Sequence, residues 1–559
     1  MSLIRRQFCA TLAGAGLAAR AATTRTSRIL RAADILRAPA TIHAFTEDGT
    51  VELSRSGAMW QGGGVSVRAE GGAGALPVLV SSPQKKLVRV RLHWRGTLPA
   101  AYRYLGDAWE RSYGELAWRP LEPERILPWY FLAGAGATFL AFGVKTNPGA
   151  FCFWQVDSSG VTLWLDVRNG GGGVELGSRT LAAATVVAAD YQGETAFRAA
   201  RNFCRRMADK GIAMPEPLYG GNNWYYAYGN SSAEDIRADT ERVASYAPSG
   251  GNRPYMVIDD GWAPYRTTGP WTRGNSKFPD MPGLAADMLR LDVRPGLWFR
   301  PLITRDSVPD SWLLKSGFSE TRFAREQMRT LDPTVEGAAE QIRNDVRLMC
   351  GWKYEILKHD FSTYDLLGRW GFQMGAELTD SRWNFADRTK TNAEIVRAFY
   401  ALLREAAGKT FLLGCNTVGH LAVGLFEVQR TGDDTSGNDW SRTRKMGVNT
   451  LAFRAAQQGT FFDVDADCVG LTKAIPWSLN RQWLDLLARS GTPLFVSAAP
   501  DAVGLEQRDA LREAFAQAAK RQPVGEPLDW LESNEPQHWR FGNATARFDW
   551  FTDAISIPL

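Results

Sequence analysis

Cysteine and histidine are scarce in this chain. Its 559 residues include 6 Cys and 5 His, and no Cys-x-x-Cys pair or Cys/His cluster occurs. Outside the first residues the cysteines are odd in number and widely separated, at Cys152, Cys204, Cys350, Cys415 and Cys468. Zinc sites and disulfide frameworks require clustered or paired ligands. We therefore expect no metal, no cofactor and no disulfide scaffold.

Long apolar runs and basic runs are also missing. The net charge is +5, with 45% hydrophobic and 22% charged residues. No stretch reaches the roughly 20 apolar residues of a membrane-spanning helix. No basic run is interleaved with aromatics, so nucleic acid is not an expected partner. The length predicts a folded protein of more than one domain, and homo-oligomers remain possible.

The first residues have the pattern of an export signal. Arg5 and Arg6 precede an apolar, Ala-rich run from Cys9 to Ala19, and residues 19–21 fit a small-residue cleavage site. Paired arginines before a weakly hydrophobic run are typical of a twin-arginine signal. We expect residues 1–22 to direct export to the periplasm or outside the cell. The alternative is a basic N-terminal helix that stays on the protein.

Residues 38–195 have an all-β pattern. Leu87–Trp94, Thr138–Val144 and Val161–Val167 are strand-like, and Gly-rich turns such as 170–173 separate the strands. Short strands with frequent turns predict a β-sandwich. Nothing in this region has catalytic spacing. A helical linker, residues 196–214, is expected to lead out of it.

Residues 215–522 alternate between strand and helix patterns. A capping box of Ser231 and Glu234 is expected to open the first helix. Eight strands are predicted, at Leu218–Tyr225, Pro254–Asp260, Arg294–Phe299, Tyr354–Asp360, Thr410–Asn416, Phe426–Thr431, Phe461–Asp465 and Pro493–Ser497. Eight such units are the size of a (β/α)8 TIM barrel. The expected fold is therefore an N-terminal β-sandwich, a central barrel and a short C-terminal β segment, residues 523–559.

The fourth predicted strand ends in a charged pair. Lys358 and Asp360 are two residues apart, so on a strand their side chains share a face. An ammonium beside a carboxylate keeps that carboxylate ionised, which suits a nucleophile. The alternative is a structural ion pair at a strand end.

Acidic residues also follow two other predicted strands. Asp259 and Asp260 follow the second, and Asp433 and Asp434 follow the sixth. Strand ends meet at the mouth of a barrel, so these carboxylates are expected to share one pocket. Several carboxylates beside aromatic residues suit glycoside hydrolysis. Acidic clusters also bind Mg²⁺ or Ca²⁺, but Lys358 would repel a cation.

From about Leu218 to Pro500 the chain resembles the clan D α-galactosidases, glycoside hydrolase families 27 and 36. The similar segments occur in the family order: Gly221-Asn222-Asn223-Trp224, Asp259-Asp260-Gly261-Trp262, Lys277-Phe278-Pro279-Asp280-Met281, Pro295-Gly296-Leu297-Trp298, Leu357-Lys358-His359-Asp360, Gly432-Asp433 and Asp463-Val464-Asp465. A β-sandwich before the barrel is closer to family 36.

The resemblance implies a retaining, exo-acting α-galactosidase with Asp360 as nucleophile and Asp433 as acid/base, Asp434 being the alternative acid. It implies that Asp259, Asp260 and Lys358 grip sugar hydroxyls. The other substrate-binding candidates are Trp224, Trp262, Trp298, Cys415, Asn416, Arg430 and Asp434. The aromatic candidates are alternatively core residues, Cys415 a packed thiol without a chemical role, and Arg430 an ion-pair partner of Asp433 or Asp434.

Two departures from the family pattern leave the sugar open. Family 27 galactosidases carry Cys-Glu where this chain has Cys415-Asn416, and that Glu reads the sugar's 2-position. Family 36 carries a Glu where this chain has Arg300. The expected substrate is an oligo- or polysaccharide with a terminal α-linked sugar. Remaining alternatives are a raffinose-synthase-like transglycosylase, an α-N-acetylgalactosaminidase, a β-arabinopyranosidase, and a carbohydrate-binding protein on a decayed barrel.

Overall fold

The N-terminal region of the computed structural model, which describes residues 28–72, 74–380 and 382–552, is built almost entirely of strands. They are β1 Thr41–Thr46, β2 Gly49–Glu52, β3 Ser54–Ser56, β4 Met59–Gly62, β5 Val65–Ala69, β6 Leu76–Ser81, β7 Leu87–Arg95, β8 Arg103–Gly106, β9 Leu127–Pro128, β10 Tyr130–Ala135, β11 Thr138–Val144, β12 Phe151–Asp157, β13 Gly160–Asp166 and β14 Leu181–Gln192. The predicted β character of this region is confirmed.

The strands form two antiparallel sheets with a shared core. The six-stranded sheet has the order β2-β1-β7-β13-β12-β9, and the eight-stranded sheet has the order β3-β4-β5-β6-β14-β11-β10-β8. The ring centres of Phe131 in the eight-stranded sheet and Trp154 in the six-stranded sheet lie 5.9 Å apart, and both side chains are fully buried. The alternating apolar residues of β7 and β13 therefore face a common interior.

A helix leads from this region to the rest of the chain. A short helix, α1 Ala32–Ile35, precedes the strands, and α2 Ala196–Met207 follows them. Thr195 caps α2 by accepting the N–H of Arg198, and Phe197, Phe203 and Met207 form its buried face. The helix thus packs on the strands that it follows.

A curled parallel sheet forms the centre of the chain. The strands are β15 Tyr219–Asn222, β16 Tyr255–Ile258, β17 Arg294–Phe299, β18 Ile303–Thr304, β19 Arg329–Thr330, β20 Ile356–His359, β21 Phe411–Gly414, β22 Val428–Arg430, β23 Asp463–Asp465, β24 Cys468–Leu471 and β25 Leu494–Ala498. β18 and β19 pair separately, and the others have the order β23-β22-β21-β20-β17-β16-β15-β25-β24. The two edge strands are joined by only Ala466 and Asp467, so the sheet must curl into a barrel-like shape.

Helices alternate with these strands. They are α3 Trp224–Ala227, α4 Ala233–Tyr246, α5 Met281–Arg290, α6 Gly317–Glu326, α7 Glu336–Gly351, α8 Ser362–Leu367, α9 Asn392–Ala407, α10 Gly419–Ala422, α11 Trp440–Thr443, α12 Thr450–Arg454, α13 Trp477–Arg489 and α14 Leu505–Ala518. The apolar residues of α7 recur at helical spacing, and Ile342, Val346 and Met349 are fully buried. Helices of this kind cover the parallel sheet, whose strands are buried throughout.

All eight predicted strands are present in their predicted order, with three local differences. β24 is an additional strand after the seventh. Trp224 lies in α3 rather than in the first strand, and Asn222 Oδ1 accepts its N–H at 2.7 Å. Helix α4 is capped by Ser232 with Asp235, one residue later than the predicted pair, because Ser231 instead accepts a hydrogen bond from Asn223.

The chain ends in a small sheet that packs on the barrel-like region. Strands β26 Glu526–Pro527, β27 His538–Phe541 and β28 Ala544–Arg547 form it. Trp539 and Trp550 are fully buried, and the backbone carbonyl of Trp550 accepts the indole N–H of Trp440 at 2.7 Å. The sheet is thus attached to the helix that follows β22.

No helix within residues 28–72, 74–380 and 382–552 is both long enough and apolar enough to cross a membrane. The predicted export signal, residues 1–22, lies outside the described residues.

Candidate active site

A cavity of about 310 Å³ opens at the carboxyl ends of the parallel strands. Most of the predicted site residues line it, namely Trp224, Asp259, Asp260, Trp298, Lys358, Asp360, Asp433 and Asp434. The other lining residues are Arg111, Tyr113, Thr267, Phe361, Trp370 and Phe372. The chain therefore brings both predicted reacting carboxylates into one pocket.

Asp259 and Lys358 form a buried ion pair on one wall. Lys358 Nζ donates to Asp259 Oδ2 at 2.6 Å, and Asn222 Nδ2 donates to the same oxygen at 2.8 Å. The Asp259 side chain is 4% exposed and that of Lys358 9%. Burial is the largest single influence and would lower the pKa of Lys358, but Asp259, with Cys415 and Asp467, raises that pKa well above its ordinary value. Lys358 is therefore a fixed cation in the pocket.

Asp260 has a different environment from its neighbour. Its backbone N–H donates to Asp259 Oδ1 at 2.9 Å, while its own Oδ1 is buried without a hydrogen-bond partner. Burial and then the charge of Asp259 raise its pKa to about 7. Near neutral pH this carboxyl can thus either donate or accept a hydrogen bond from a ligand hydroxyl.

Asp360 directly follows β20 and is held by two donors. Trp298 Nε1 donates to its Oδ2 at 3.2 Å, and the N–H of Phe361 donates to its Oδ1 at 2.7 Å. Phe361 has a φ of 62°, so the chain turns sharply immediately after the carboxylate. Lys358 lines the same pocket, as expected, but its ion pair is with Asp259 rather than with Asp360.

Two arginines flank Asp433. Arg442 Nη2 lies 2.7 Å from Asp433 Oδ2, and Arg111 Nη2 lies 2.8 Å from Oδ1. The neighbouring Asp434 is instead paired with Arg430 at 3.3 Å. Although burial opposes it, Arg430 and Arg111 hold the pKa of Asp434 below its ordinary value. The two adjacent carboxylates thus share Arg111, and each has a further arginine, Arg442 at Asp433 and Arg430 at Asp434.

Trp262 and Arg430, both predicted to contact substrate, do not line the pocket. Trp262 is fully buried and donates its indole N–H to the carbonyl of Trp298 at 2.8 Å, so it is a core aromatic. Arg430 is also fully buried, and its Nη2 lies 2.7 Å from Asp467 Oδ2. Trp262 thus has the position of a core aromatic, and Arg430 that of an ion-pair partner of Asp434.

Cys415 and Asn416 lie beneath the pocket wall and do not line the cavity either. The Cys415 thiol is buried and accepts weak hydrogen bonds from Arg111 and Arg430 at 3.6 and 3.5 Å. Asn416 is 0% exposed, and its Nδ2 donates at 2.6 Å to Glu110. The side chain of Asn416, just beyond the end of β21, therefore hydrogen-bonds to the protein itself.

Arg300, the other departure from the family pattern, is likewise turned into the core. Its Nε and Nη2 bond the two oxygens of Asp365 at 2.8 and 2.6 Å. Its guanidinium lies 4.2 Å from the centre of the Phe361 ring. Such a bidentate pair fixes the guanidinium plane, and this plane supports the residue that follows Asp360.

The segment 107–113 of the N-terminal region, a region whose sequence shows no catalytic spacing, enters the pocket. Ser112 donates its N–H to the Thr431 carbonyl and accepts that of Asp433, both at 2.9 Å. These bonds extend the end of β22 and carry Arg111 and Tyr113 into the cavity wall. Sequence reasoning missed both residues because the segment lies between β8 and β9 and shows no motif.

Glu110 joins this segment to the barrel-like region. It accepts bonds from Tyr113 Oη at 2.5 Å, from the N–H of Gly371 at 2.6 Å and from Asn416 Nδ2 at 2.6 Å. The residue is 1% exposed, and burial raises its pKa. Because its partners lie on three different segments, Glu110 fixes the relative position of the walls of the pocket.

Aromatic rings form the outer wall. Tyr113 meets Phe372 edge-to-face at 4.9 Å, and Phe361 meets Trp370 at 5.3 Å. Phe372 is 63% exposed. An exposed ring beside a polar pocket offers a stacking surface for a sugar.

No group of three or more His, Cys, Asp or Glu side chains among the described residues is arranged to hold a metal ion. The chemical groups of the pocket are carboxylates, two cations and aromatic rings.

No family model and no curated protein matches the chain. Solved structures match it in fold. The α-galactosidase TtGalA from Thermus thermophilus, in complex with p-nitrophenyl α-D-galactopyranoside, has a TM-score of 0.60 and 18% identity over 91% of this chain and 99% of that one. A variant of the GH36 α-galactosidase AgaA from Geobacillus stearothermophilus, in complex with raffinose, has a TM-score of 0.59 and 14% identity over 90% and 79%. The resemblance to clan D α-galactosidases is thus confirmed at the level of the fold.

Proposed function

We propose that the chain is a retaining, exo-acting α-glycoside hydrolase whose preferred substrate is a terminal α-galactoside. The observation that carries this proposal is one pocket lined by Asp360, Asp433 and the Asp259–Lys358 pair. In this proposal residues 38–195 are a β-sandwich, 196–214 a helical linker, 215–522 a (β/α)8 barrel and 523–559 a C-terminal β segment. The solved structures of similar fold include α-galactosidases bound to stachyose and raffinose.

Asp360 is the proposed nucleophile. Its carboxylate attacks the anomeric carbon and forms a glycosyl ester as the bond to the leaving oxygen breaks. The indole N–H of Trp298 and the backbone N–H of Phe361 orient the two carboxylate oxygens for this attack. Trp298 is buried, and the partly buried Phe361 is supported by the Arg300 guanidinium, so the geometry is preorganised.

Asp433 is the proposed acid/base. In the first step its carboxyl gives a proton to the leaving oxygen, and in the second it takes a proton from the water that cleaves the ester. Arg111 and Arg442 hold its two oxygens on either side. Asp434 is the alternative acid, and the Gly432-Asp433 order that resembles the family's acid/base segment favours Asp433.

Asp259, Asp260 and Lys358 are proposed to hold the hydroxyls far from the anomeric carbon. A fixed ammonium beside one carboxylate and one titrating carboxyl can bond an axial 4-hydroxyl and the 6-hydroxyl together. A buried acceptor that loses its hydroxyl costs about 1–3 kcal/mol. An equatorial 4-hydroxyl is therefore expected to lower kcat/KM by one to two orders of magnitude.

Turnover of p-nitrophenyl α-galactoside, α-glucoside, α-N-acetylgalactosaminide and β-arabinopyranoside tests the reaction class and the sugar. The galactoside is expected to react best. Similar kcat/KM on galactoside and glucoside would withdraw the galactosidase assignment and leave the glycosidase one. No turnover of any of these substrates by folded protein would favour a carbohydrate-binding role. Analysis of the products formed from raffinose in the presence of a second sugar distinguishes hydrolysis from transfer of the glycosyl group.

A 2-deoxy-2-fluoro galactosyl fluoride tests the nucleophile. The fluorine slows breakdown of the glycosyl ester, so mass spectrometry should find one added sugar on the peptide that contains Asp360. The label is expected to disappear in the variant Asp360→Ala and to persist in Asp434→Ala. A label on any other carboxylate would contradict the assignment.

A further inference from the structure

Arg111 has more hydrogen-bond donors than the protein gives it acceptors. A guanidinium has five N–H bonds. Within the described residues, Nη2 pairs with Asp433, Nη1 contacts the Cys415 thiol at 3.6 Å and lies 3.8 Å from Asp434, and Nε has no partner. Yet Arg111 is 5% exposed and lines the cavity. Nε is fully buried, so the N–H bonds of Nη1 and Nη2 that the protein leaves free are the donors available to a ligand oxygen in the cavity.

The guanidinium contacts one proposed reacting carboxylate and shares the pocket with the other. It pairs with Asp433 at 2.8 Å. Burial alone would lower its pKa, but Tyr113, Asp433 and Asp360 are among the groups that raise it. The ligand oxygen that it meets therefore belongs to the anomeric end of the sugar.

Three oxygens lie at or next to the anomeric carbon: the glycosidic oxygen, the ring oxygen and the 2-hydroxyl. In the proposed mechanism the glycosidic oxygen takes its proton from Asp433 and departs with the leaving group. Positive charge develops on the ring oxygen in the oxocarbenium-like transition state, so a cation there would oppose the reaction. A donor to the 2-hydroxyl instead strengthens as that charge develops. Asn416 cannot take this role, because it is 0% exposed and bound to Glu110.

We infer that Arg111, supplied by the N-terminal region, contacts the substrate and determines specificity by donating a hydrogen bond to the hydroxyl at carbon 2 of the bound sugar. The inference rests on the proposed function for the orientation of the sugar. It deepens that function by naming the substrate class as neutral 2-hydroxy glycosides. A 2-acetamido group would have to displace a guanidinium that Asp433 fixes on one side, and the Trp370 ring lies 5.6 Å from its Cζ.

A cycle of one substitution and one missing hydroxyl tests this contact. The kcat/KM values of galactosides with and without the 2-hydroxyl are compared for the wild type, Arg111→Lys and Arg111→Gln. A charge-assisted bond of this kind predicts that the wild-type preference for the 2-hydroxyl falls roughly 10- to 100-fold in both variants. The intrinsic reactivity of the deoxy sugar cancels in this ratio. The preference for the 6-hydroxyl, measured with 6-deoxygalactosides, is expected to stay unchanged.

The matched control is Arg68→Lys, which changes a 58% exposed arginine of the same region. It is expected to leave every ratio unchanged. Equal losses with 2-hydroxy and 2-deoxy substrates in the Arg111 variants would overturn the inference, because Arg111 would then act only on the protein.

Calorimetric binding of free sugars separates this inference from the proposed reaction. Wild-type protein is expected to bind galactose at least roughly tenfold more tightly than 2-deoxygalactose, whether or not it hydrolyses any glycoside. Equal affinities, or no binding of galactose, would overturn the role of Arg111, and this measurement needs no variant to fold. Tighter binding of galactose than of 2-deoxygalactose, without turnover of any glycoside, would instead support Arg111 as the residue that recognises the 2-hydroxyl and would reject the proposed hydrolase activity.

Discussion

Asp260 is a buried carboxyl that titrates near neutral pH. Its pKa is raised from 3.8 to about 7 in the folded chain. Between these values the folded chain keeps a proton that the unfolded chain has lost. The stability contributed by this proton is therefore lost as the pH rises through the window.

The variant Asp260→Asn is expected to remove that dependence. Relative to the wild type, its free energy of unfolding should rise by roughly 2 kcal/mol between about pH 5 and about pH 8. Chemical denaturation at the two pH values measures the difference. Asp209→Asn, at a side chain that is 68% exposed, is the control and should show no such trend. A constant difference for Asp260→Asn would mean that the carboxyl is already ionised at about pH 5.

Sequence periodicity predicted the strands well because each strand has a local pattern. Thr138–Val144 in the N-terminal region and Arg294–Phe299 in the parallel sheet have the predicted bounds. The pocket carboxylates were also predictable, since strand ends of a parallel sheet converge. The direction of a side chain just beyond the end of a strand was not predictable. Trp262 follows the acidic pair in sequence, but the positive φ of Gly261, 115°, lets the chain turn and directs the indole into the core.

The segment 107–113 was not predictable for a different reason. Its role depends on docking against residues more than 300 positions away, such as Asn416 and Arg454. No local period or motif marks such contacts. The same holds for Glu110, which accepts hydrogen bonds from two distant segments, at Gly371 and Asn416.

The loop that carries Trp370 and Phe372 forms an outer wall suited to the second sugar of a substrate. Phe372 is 63% exposed and packs edge-to-face on Tyr113. Stacking of this type is worth about 1 kcal/mol. The variant Phe372→Ala is therefore expected to raise KM for raffinose about fivefold and to leave KM for methyl α-galactoside nearly unchanged.

Steady-state kinetics on the two substrates measure this effect. Phe323→Ala removes another exposed ring, 45% exposed on α6, and should change neither KM. An equal rise in KM for both substrates would place Phe372 in the support of the first sugar site rather than at a second.

The N-terminal region and the barrel-like region share one functional pocket, so their attachment is part of the site. Arg454, on α12, makes much of this attachment. Its Nη2 lies 2.8 Å from Asp107 Oδ1 and also donates to the carbonyl of Glu110, while Nη1 donates to the carbonyl of Thr431 at 3.1 Å. Arg454 thus connects the segment that carries Arg111 to the strand end that precedes Asp433.

The variant Arg454→Met is expected to lose both stability and activity, although Arg454 does not line the pocket. Removing one partner of a buried ion pair leaves Asp107 uncompensated and costs about 3–5 kcal/mol. Because segment 107–113 would then be held less tightly, kcat/KM should fall more than that of a variant destabilised elsewhere. Denaturation curves and kinetics at a temperature where both proteins are folded separate the two effects. Arg489→Met, which breaks a helix-surface pair with Asp485, is the control for losing an arginine. Full activity of folded Arg454→Met would show that Ser112 and Glu110 alone hold Arg111 against Asp433.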